Sequence, residues 1–270
     1  MTQAAAQDKV GGSAPVFSPA PGAAPLPRMI AAQAALETRM LLRNGEQLLL
    51  TLVIPLLGLA TLSLEPLVNI GAGMSRADFL TPGIIALAVM STAFTSQAIA
   101  TGFERRYGVL KRLGATPLSR GGLIAAKTVT VIVVELLQGV LILAVALAVG
   151  WRPDASLAAI VVVPLLILLG TAAFSGLGLL MAGTLRAEAT LAAANFVWFV
   201  LAGVGGVVFP LTKFPAGARP VLELLPTGAL STGLRDVLQH GVVFPAGNAV
   251  TLLVWAVVAI ALAARMFRWE

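Results

Sequence analysis

The 270-residue chain contains no cysteine and a single histidine, and only 11% of its residues are charged. Without cysteine it can form neither a disulfide nor a thiolate metal site, and one histidine excludes a multi-histidine metal site within one chain. The sequence also lacks the G-x-x-x-x-G-K-[ST] loop that cradles ATP phosphates, and it lacks the H-E-x-x-H and G-x-S-x-G motifs of hydrolases. We therefore expect no catalytic residue, no bound metal and no cofactor in this chain.

Apolar residues dominate the composition. They make up 58% of the chain, the mean hydropathy is +0.94, and the net charge is +6. Because the basic residues are dispersed among apolar runs, a membrane accounts for them better than nucleic acid does. The pattern predicts an all-α membrane protein with six spanning helices, each near the roughly 20 residues that a bilayer needs. Their expected positions are about 46–64, 80–101, 123–150, 157–184, 190–209 and 248–267.

A basic segment, residues 103–127 (FERRYGVLKRLGATPLSRGGLIAAK), lies between the second and third predicted spans. It contains six of the chain's 18 Lys and Arg residues and a single acid, Glu104. An excess of Lys and Arg in a short loop marks the cytoplasmic side of a membrane protein. We therefore predict a multi-pass membrane protein with both termini in the cytoplasm, because the reverse topology would export this loop.

Helical spacing marks the start of the basic segment. Phe103, Tyr107 and Leu110 recur at i, i+4 and i+7, with the basic residues largely off that stripe. Gly114 follows the last apolar residue and a proline comes three residues later, a pattern typical of a helix C-terminus. The spacing predicts one short amphipathic helix over residues 103–113, lying on the inner face of the membrane.

The stretch from FLTPG at 79–83 to TPLSR at 116–120 resembles the permease subunits of ABC-2 type transporters. Those families show a Pro-Gly pair near the start of the second membrane helix, followed by an acidic-basic pair, a glycine, a leucine-rich step and a TPLSR-like ending. The order and spacing make this match much more specific than hydropathy alone. The matching positions are Pro82, Gly83, Glu104, Arg105, Gly108, Leu110, Leu113, Thr116, Pro117, Leu118, Ser119 and Arg120. The resemblance extends more loosely to both ends, without the first 27 residues.

This resemblance implies the transmembrane subunit of an ATP-driven exporter in a bacterial cytoplasmic membrane. It implies separate ATPase subunits that carry ATP and Mg, and a second permease subunit that is either identical or a paralogue. The substrate would be hydrophobic or amphipathic, such as an antibiotic, another drug or a lipid-like molecule. The usage of Ala, Gly and Arg over Lys agrees with a GC-rich bacterial genome.

The resemblance also implies that the basic segment contacts the ATPase. Tyr107 and Leu110 would be the anchors buried in a groove of the ATPase, and the basic residues would contact an acidic rim. Topology determination and contact with anionic lipid are the alternative role of these basic residues, and both roles are compatible. The expected coupling residues are Glu104, Arg105, Arg106, Tyr107, Gly108, Leu110, Lys111, Arg112, Leu113 and Pro117.

The first 45 residues divide into two parts. Residues 1–27 are rich in Ala, Pro, Gly and Ser without apolar periodicity, which predicts a disordered cytoplasmic tail. Residues 28–45 predict an interfacial helix, and a short cytoplasmic helix packed on protein is the alternative. The residues expected on its apolar side are Ile30, Ala34, Met40 and Leu41, and those expected in solvent are Arg28, Glu37, Arg39 and Arg43.

The loop between the last two spans, residues 210–247, is too long for a tight connection and too apolar for a solvated one. Val221–Leu225 and Leu230–Leu238 predict two short helices broken at Pro226. Polar backbone at membrane depth needs cover from protein or water, so we expect a re-entrant or membrane-capping hairpin on the outer side. Such a hairpin is either an outer gate, with Pro226, Leu230 and Arg235 as gate residues, or a lid that stabilises the fold.

Three polar side chains fall inside the predicted spans. Glu135 lies about three turns into the third span with Gln138 one turn later, and Asn195 lies near the start of the fifth span. A carboxylate at that depth is costly, so it should face protein, water or a partner rather than lipid. Each of the three either lines a substrate path or binds neighbouring helices.

An ion-coupled secondary transporter or channel without an ATPase is the alternative function. Such carriers often show internal repeats and several ionisable residues inside the membrane. This chain has no convincing repeat and one acid deep within its predicted spans, so the sequence favours the exporter.

Overall fold

The computed structural model describes residues 22–45, 49–64 and 75–267, and every regular element in these ranges is helical. The prediction of an all-α protein is therefore confirmed for the described part of the chain. Most of the predicted disordered tail and the first residues of the first predicted span lie outside it.

The bounds of the described helices follow, in chain order. They are α1 (Leu26–Arg43), α2 (Ile54–Leu64), α3 (Arg76–Arg106), α4 (Val109–Gly114), α5 (Arg120–Ala148), α6 (Ala159–Thr184), α7 (Ala187–Val204), α8 (Arg219–Leu224), α9 (Pro226–Gln239) and α10 (Ala246–Met266). A π-helical turn, Leu49–Val53, leads directly into α2, and α3 contains a π-helical segment, Met90–Ser96. A 3₁₀ turn, Leu211–Lys213, follows α7.

Five of these helices, α3, α5, α6, α7 and α10, are long and apolar enough to cross a membrane. They correspond to the second through sixth predicted spans, with ends that differ from the predicted ones by a few residues. The largest differences, five residues each, are at the end of α3, which continues to Arg106, and at the end of α7, which stops at Val204 before the turn formed by Gly205 and Gly206. The first predicted span contains the shorter apolar stretch Thr51–Leu64, and its role as a sixth span stays a prediction.

The π-helical segment of α3 connects this largely buried helix to two neighbours. Thr92 donates a hydrogen bond to the Gln138 side chain of α5 at 2.9 Å. Trp198 of α7 donates to the Ser91 hydroxyl at 2.8 Å. A π segment shifts the faces of the helix on its two sides, and such segments recur at functional sites. α3 therefore lies at the centre of the described helices, with α5, α6 and α7 packed on it, whereas α10 packs mainly on α6.

The Pro-Gly pair of α3 has a packing reason. A Cβ on Gly83 would lie 2.3 Å from the Val207 carbonyl oxygen, a distance that no side chain can adopt. Only glycine lets the chain after α7 pass this close to α3. Pro82 and Gly83 are both buried, so the pair belongs to the core rather than to an exposed turn.

The residues of the TPLS motif connect α4 to α5. The Thr116 hydroxyl donates to the Leu113 carbonyl oxygen at 2.6 Å, after the last turn of α4. The Ser119 hydroxyl accepts a hydrogen bond from the Gly122 backbone N–H at 3.1 Å and caps the start of α5. The motif therefore ends one helix and begins the next.

The predicted single helix over residues 103–113 is wrong. α3 continues to Arg106, Tyr107 and Gly108 form a turn, and α4 begins at Val109. Gly108 has a φ of 68°, in the left-handed region that glycine adopts without strain, and this backbone conformation breaks the helix. The apolar spacing continues across the break, so the spacing alone could not reveal it.

Candidate functional site

Two arginines connect the end of α3 to the turn between α6 and α7 and to the start of α7. The Arg105 guanidinium donates to the Leu185 carbonyl oxygen, and Arg106 forms an ion pair with Glu188 at the start of α7. The Arg106–Glu188 pair is solvent-exposed, so it adds little to stability and mainly holds the two elements in register. We name this end of the molecule the basic end.

An exposed patch surrounds the break between α3 and α4. The Tyr107 ring is 64% exposed, and its centroid lies 6.0 Å from that of Phe103. The Arg112 guanidinium donates to the Tyr107 carbonyl oxygen at 3.1 Å. The exposed residues, which we call the basic patch, are Arg106, Tyr107, Lys111, Arg112 and Pro117.

The two residues expected to anchor an ATPase differ in exposure. Leu110 is 2% exposed and packs inside its own chain, and Leu113 is half-buried. Tyr107 is the exposed member of the predicted pair. The apolar side of α4 therefore holds that helix against the spans, and the turn before it carries the exposed aromatic side chain.

A buried ionic cluster joins α1, α3 and α5. The Lys127 ammonium lies 2.7 Å from a carboxylate oxygen of Glu104 and 3.4 Å from one of Glu37. The exposed fractions of these side chains are 7% for Lys127, 15% for Glu37 and 26% for Glu104. Charges removed from water in this way need a partner, and each member of the cluster has one.

The ionic cluster corrects the prediction for the first helix. Glu37 was expected in solvent, but its carboxylate faces Lys127. Met40, which was expected on the apolar side of the helix, is 65% exposed within this chain. Thr130 of α5 donates to the Ala34 carbonyl oxygen at 3.3 Å, so α1 packs directly on α5. The sequence did carry one signal, because Lys127 falls seven residues into an apolar helix and a cation there needs a nearby acid.

Glu135 and Gln138 both bond to neighbouring helices. The Thr171 hydroxyl of α6 lies 2.7 Å from a Glu135 carboxylate oxygen and also 2.8 Å from the Ile167 carbonyl oxygen. Gln138 accepts from Thr92 and donates to the Thr51 carbonyl oxygen at 2.8 Å. Both side chains are buried, as the cost of a polar group at membrane depth requires.

Asn195 has a different environment. It lies on an exposed face of α7 together with Phe196 and Phe199, each of which is 70% exposed. Its amide therefore faces away from the other helices of this chain, and the helix partner expected for it is not within the described chain. The structure does not bring Asn195 together with Glu135 and Gln138 in one site.

The opposite end of the molecule, which we name the hairpin end, is organised around Arg235 of α9. Its guanidinium donates to the carbonyl oxygens of Phe79 at 3.2 Å and Gly206 at 3.0 Å, and it lies 4.0 Å from the centroid of the Phe79 ring. The Ser231 hydroxyl donates to the Gly205 carbonyl oxygen at 2.6 Å. α9 therefore supplies the hydrogen bonds that the backbone needs where α7 ends.

The two predicted outer helices are present with different bounds. α9 begins at Pro226, four residues before its expected start at Leu230, because proline suits the first position of a helix. Pro226, Leu230 and Arg235 are all buried within this chain. The re-entrant character of this hairpin and its role as a gate stay predictions.

Within residues 22–45, 49–64 and 75–267, no group of three or more His, Asp or Glu side chains is placed to hold a metal ion. A comparison with curated proteins finds no match. The family model described as ABC-2 family transporter protein matches residues 26–265, which include the basic segment, the ionic cluster and the hairpin end. The chain therefore belongs to the ABC-2 family of transporter proteins.

Proposed function

We propose that this protein is the transmembrane permease of an ATP-driven exporter, which moves a hydrophobic or amphipathic substrate out across the bacterial cytoplasmic membrane. Membership of the ABC-2 family and five long apolar helices support a multi-pass transport subunit. Since the sequence has no P-loop, ATP and Mg bind to separate ATPase subunits. Both termini and the basic end lie in the cytoplasm, because the basic segment carries the densest cluster of Lys and Arg.

The observation that carries the proposal is the exposed basic patch beside the helix break at Gly108. Tyr107 offers an exposed aromatic anchor, and Lys111 and Arg112 offer cations to an acidic rim on the ATPase. Leu110 contributes indirectly, because it seats α4 on the spans. This division of labour suits an element that must bind a partner and transmit its movement.

Movement of the patch reaches the spans by two routes. α3 carries it directly, and the contacts of Arg105 and Arg106 carry it to the turn between α6 and α7. The ionic cluster extends the first route to α1 and α5 through Lys127. A push on the patch therefore acts on the spans as a connected set rather than on one helix.

A second permease subunit packs against the exposed face of α7 in this proposal. An asparagine amide and two phenylalanines on one face suit a helix contact, because an interhelical hydrogen bond to Asn195 is better than exposure to lipid. Glu135 and Gln138 hold α5 to α6 and α3, and α9 serves as the outer lid.

The proposal is tested by purifying the full chain with the ATPase that accompanies it and reconstituting the complex in liposomes. A patch variant, Tyr107→Ala with Lys111→Gln and Arg112→Gln, is expected to lose most of the bound ATPase. The matched control, Lys213→Gln with Arg219→Gln at the hairpin end, is expected to keep it. Gly108→Ala and Glu104→Gln are expected to keep the ATPase and hydrolyse ATP without transport of a hydrophobic dye.

Two outcomes would contradict the proposal. The first is a patch variant with unchanged ATPase binding and coupled transport. The second is transport by the permease alone, driven by an ion gradient without ATP, which would favour the secondary transporter and direct attention to Glu135.

A further inference from the structure

Two cavities meet at the basic end, and Thr101 and Lys127 lie in the walls of both. The larger cavity has a volume of about 340 Å³ and lies mainly among α5, α6 and α10. The smaller has a volume of about 220 Å³ and lies among α1, α3 and α5. Together they reach the size of small-molecule binding sites.

The larger cavity is apolar with two isolated hydroxyls. Leu123, Leu179 and Ile260 are typical of its walls. The hydroxyls of Ser175 and Thr101 also line it, and neither has a hydrogen-bond partner in the described part of the chain. Its surface suits a hydrocarbon body with few polar atoms.

The wall of the smaller cavity contains several polar and charged side chains, of which Gln97 is the most unusual. This side chain is 6% exposed, and neither its amide nitrogen nor its amide oxygen has a partner among the residues that the structure describes. Buried amides nearly always have partners, so a side chain with both ends unpaired in a cavity wall points to a bound molecule.

The charge of the smaller cavity indicates the sign of the charge on the molecule that it would bind. The described charged residues in its wall are Glu37, Glu104 and Lys127, two carboxylates and one ammonium. Lys127 contacts both acids, and one negative charge is left over. A cation entering the cavity would neutralise that charge, whereas an anion would meet two carboxylates.

We propose that the joined cavities bind an amphiphile with an ammonium head, the head beside Gln97, Thr101 and the carboxylates, and the apolar body in the larger cavity. Charge complementarity selects the cation, and the unpaired amide and hydroxyl oxygens accept its hydrogen bonds. Only the assignment of this ligand as the exported substrate rests on the proposed function.

The natural absence of cysteine makes the site accessible to measurement. Single cysteines are introduced in the full-length chain at Ala100, in the smaller cavity, and at Ala264, in the larger. Ala261→Cys is the matched control, because Ala261 is exposed on the same helix and lies outside both cavities. The rate of maleimide labelling is measured in phosphatidylcholine nanodiscs with and without dodecylammonium.

Dodecylammonium is expected to protect both cavity cysteines and not Ala261→Cys. At about ten times its Kd the labelling rate should fall about tenfold, because the rate follows the unoccupied fraction. Dodecanol and dodecyl sulfate, which have the same chain, should protect far less. Equal protection by all three, or protection of neither cavity cysteine, would overturn the proposal. Protection in phosphatidylethanolamine nanodiscs without added dodecylammonium would identify membrane lipid as the occupant and overturn the substrate assignment.

Two further variants test the reason for the selectivity. Glu37→Gln leaves the Lys127–Glu104 pair and a neutral cavity, so the preference for dodecylammonium over dodecanol should disappear. Gln97→Leu should weaken protection by dodecylammonium and leave protection by dodecanol unchanged. A full ammonium preference in Glu37→Gln would contradict the charge argument. The labelling experiment needs neither ATP nor an ATPase. A lack of protection by dodecylammonium would therefore not affect the conclusion about ATPase binding to the basic patch, and a patch variant that still binds the ATPase would not affect the conclusion about the cavities.

Discussion

The basic end and the hairpin end bury charge in opposite ways. At the basic end, Lys127 pairs with two acids that belong to different helices. At the hairpin end, Arg235 forms no ion pair with an acid of the described residues and is held by two backbone carbonyls and the Phe79 ring. Burial lowers the pKa of the Arg235 guanidinium to about 10, and the nearby Asp236 opposes this shift, so Arg235 stays charged at neutral pH.

The two ends therefore differ in what their buried charges connect. The ionic cluster joins side chains of three helices, so its contacts depend on how those helices are placed relative to one another. The Arg235 contacts instead satisfy fixed backbone groups where α7 ends, so their loss leaves unpaired carbonyls. The basic end also presents exposed residues to a partner, whereas α9 is largely buried in its own chain.

The largest effect is expected from Lys127→Met, which leaves Glu37 and Glu104 facing each other without a cation. Breaking a buried ion pair on one side costs about 3 kcal/mol or more. The apparent unfolding temperature of the purified protein should therefore fall strongly. Adding Glu37→Gln and Glu104→Gln should recover much of the loss, and no recovery in this triple variant would show that the lysine acts through packing alone.

Arg235→Met should have the next largest effect. It removes two charge-assisted hydrogen bonds and leaves the Phe79 and Gly206 carbonyls unpaired, which costs about 2–3 kcal/mol. Arg219→Met is the matched control, since Arg219 bonds two carbonyls within its own loop and is only half-buried. Equal unfolding temperatures for the two variants would show that the Arg235 contacts do not stabilise the hairpin end.

A smaller loss is expected from Gly108→Ala, because an alanine in the left-handed conformation costs about 1 kcal/mol. Gly114→Ala is the control, since Gly114 is helical with open space around its Cα and should tolerate the methyl group. A similar unfolding temperature in both variants, with unchanged coupling in Gly108→Ala, would mean that the break is not required.

The smallest effect is expected from Glu188→Gln. Its ion pair with Arg106 is exposed, and such pairs contribute about 0–1 kcal/mol. The unfolding temperature should change little, and the small difference from the parent protein should vanish at high salt. A large, salt-independent loss would show that the contact between α3 and the turn after α6 depends on this pair.

The spanning helices could be predicted from the sequence because hydropathy over some 20 residues is a strong local signal. The end of α4 at Gly114 was also predicted, since a glycine followed by a proline has a fixed relation to a helix C-terminus. The break at Gly108 was not predicted, because a glycine between two halves of a continuous apolar stripe is compatible with either a helix or a turn.

The ionic cluster could not be predicted for a different reason. Glu37 and Lys127 are 90 positions apart, and nothing local to either residue names the other. On α1, Glu37 was expected in solvent but packs against Lys127, because a buried cation needs an acid beside it. The cavities likewise depend on contacts among distant helices, which the sequence pattern does not encode.

The π-helical segment of α3 acts as an offset in the angular register of that helix. Each residue of an α-helix turns by about 100°, so an extra residue carried in Met90–Ser96 rotates everything after it by about that angle. Gln97, Thr101 and Glu104 all come after the segment, and their direction into the smaller cavity follows from this rotation. Without the extra residue, all three side chains would turn away from the cavity together. The direction of the α3 side of the binding surface is therefore set by one irregular turn in the middle of the membrane helix.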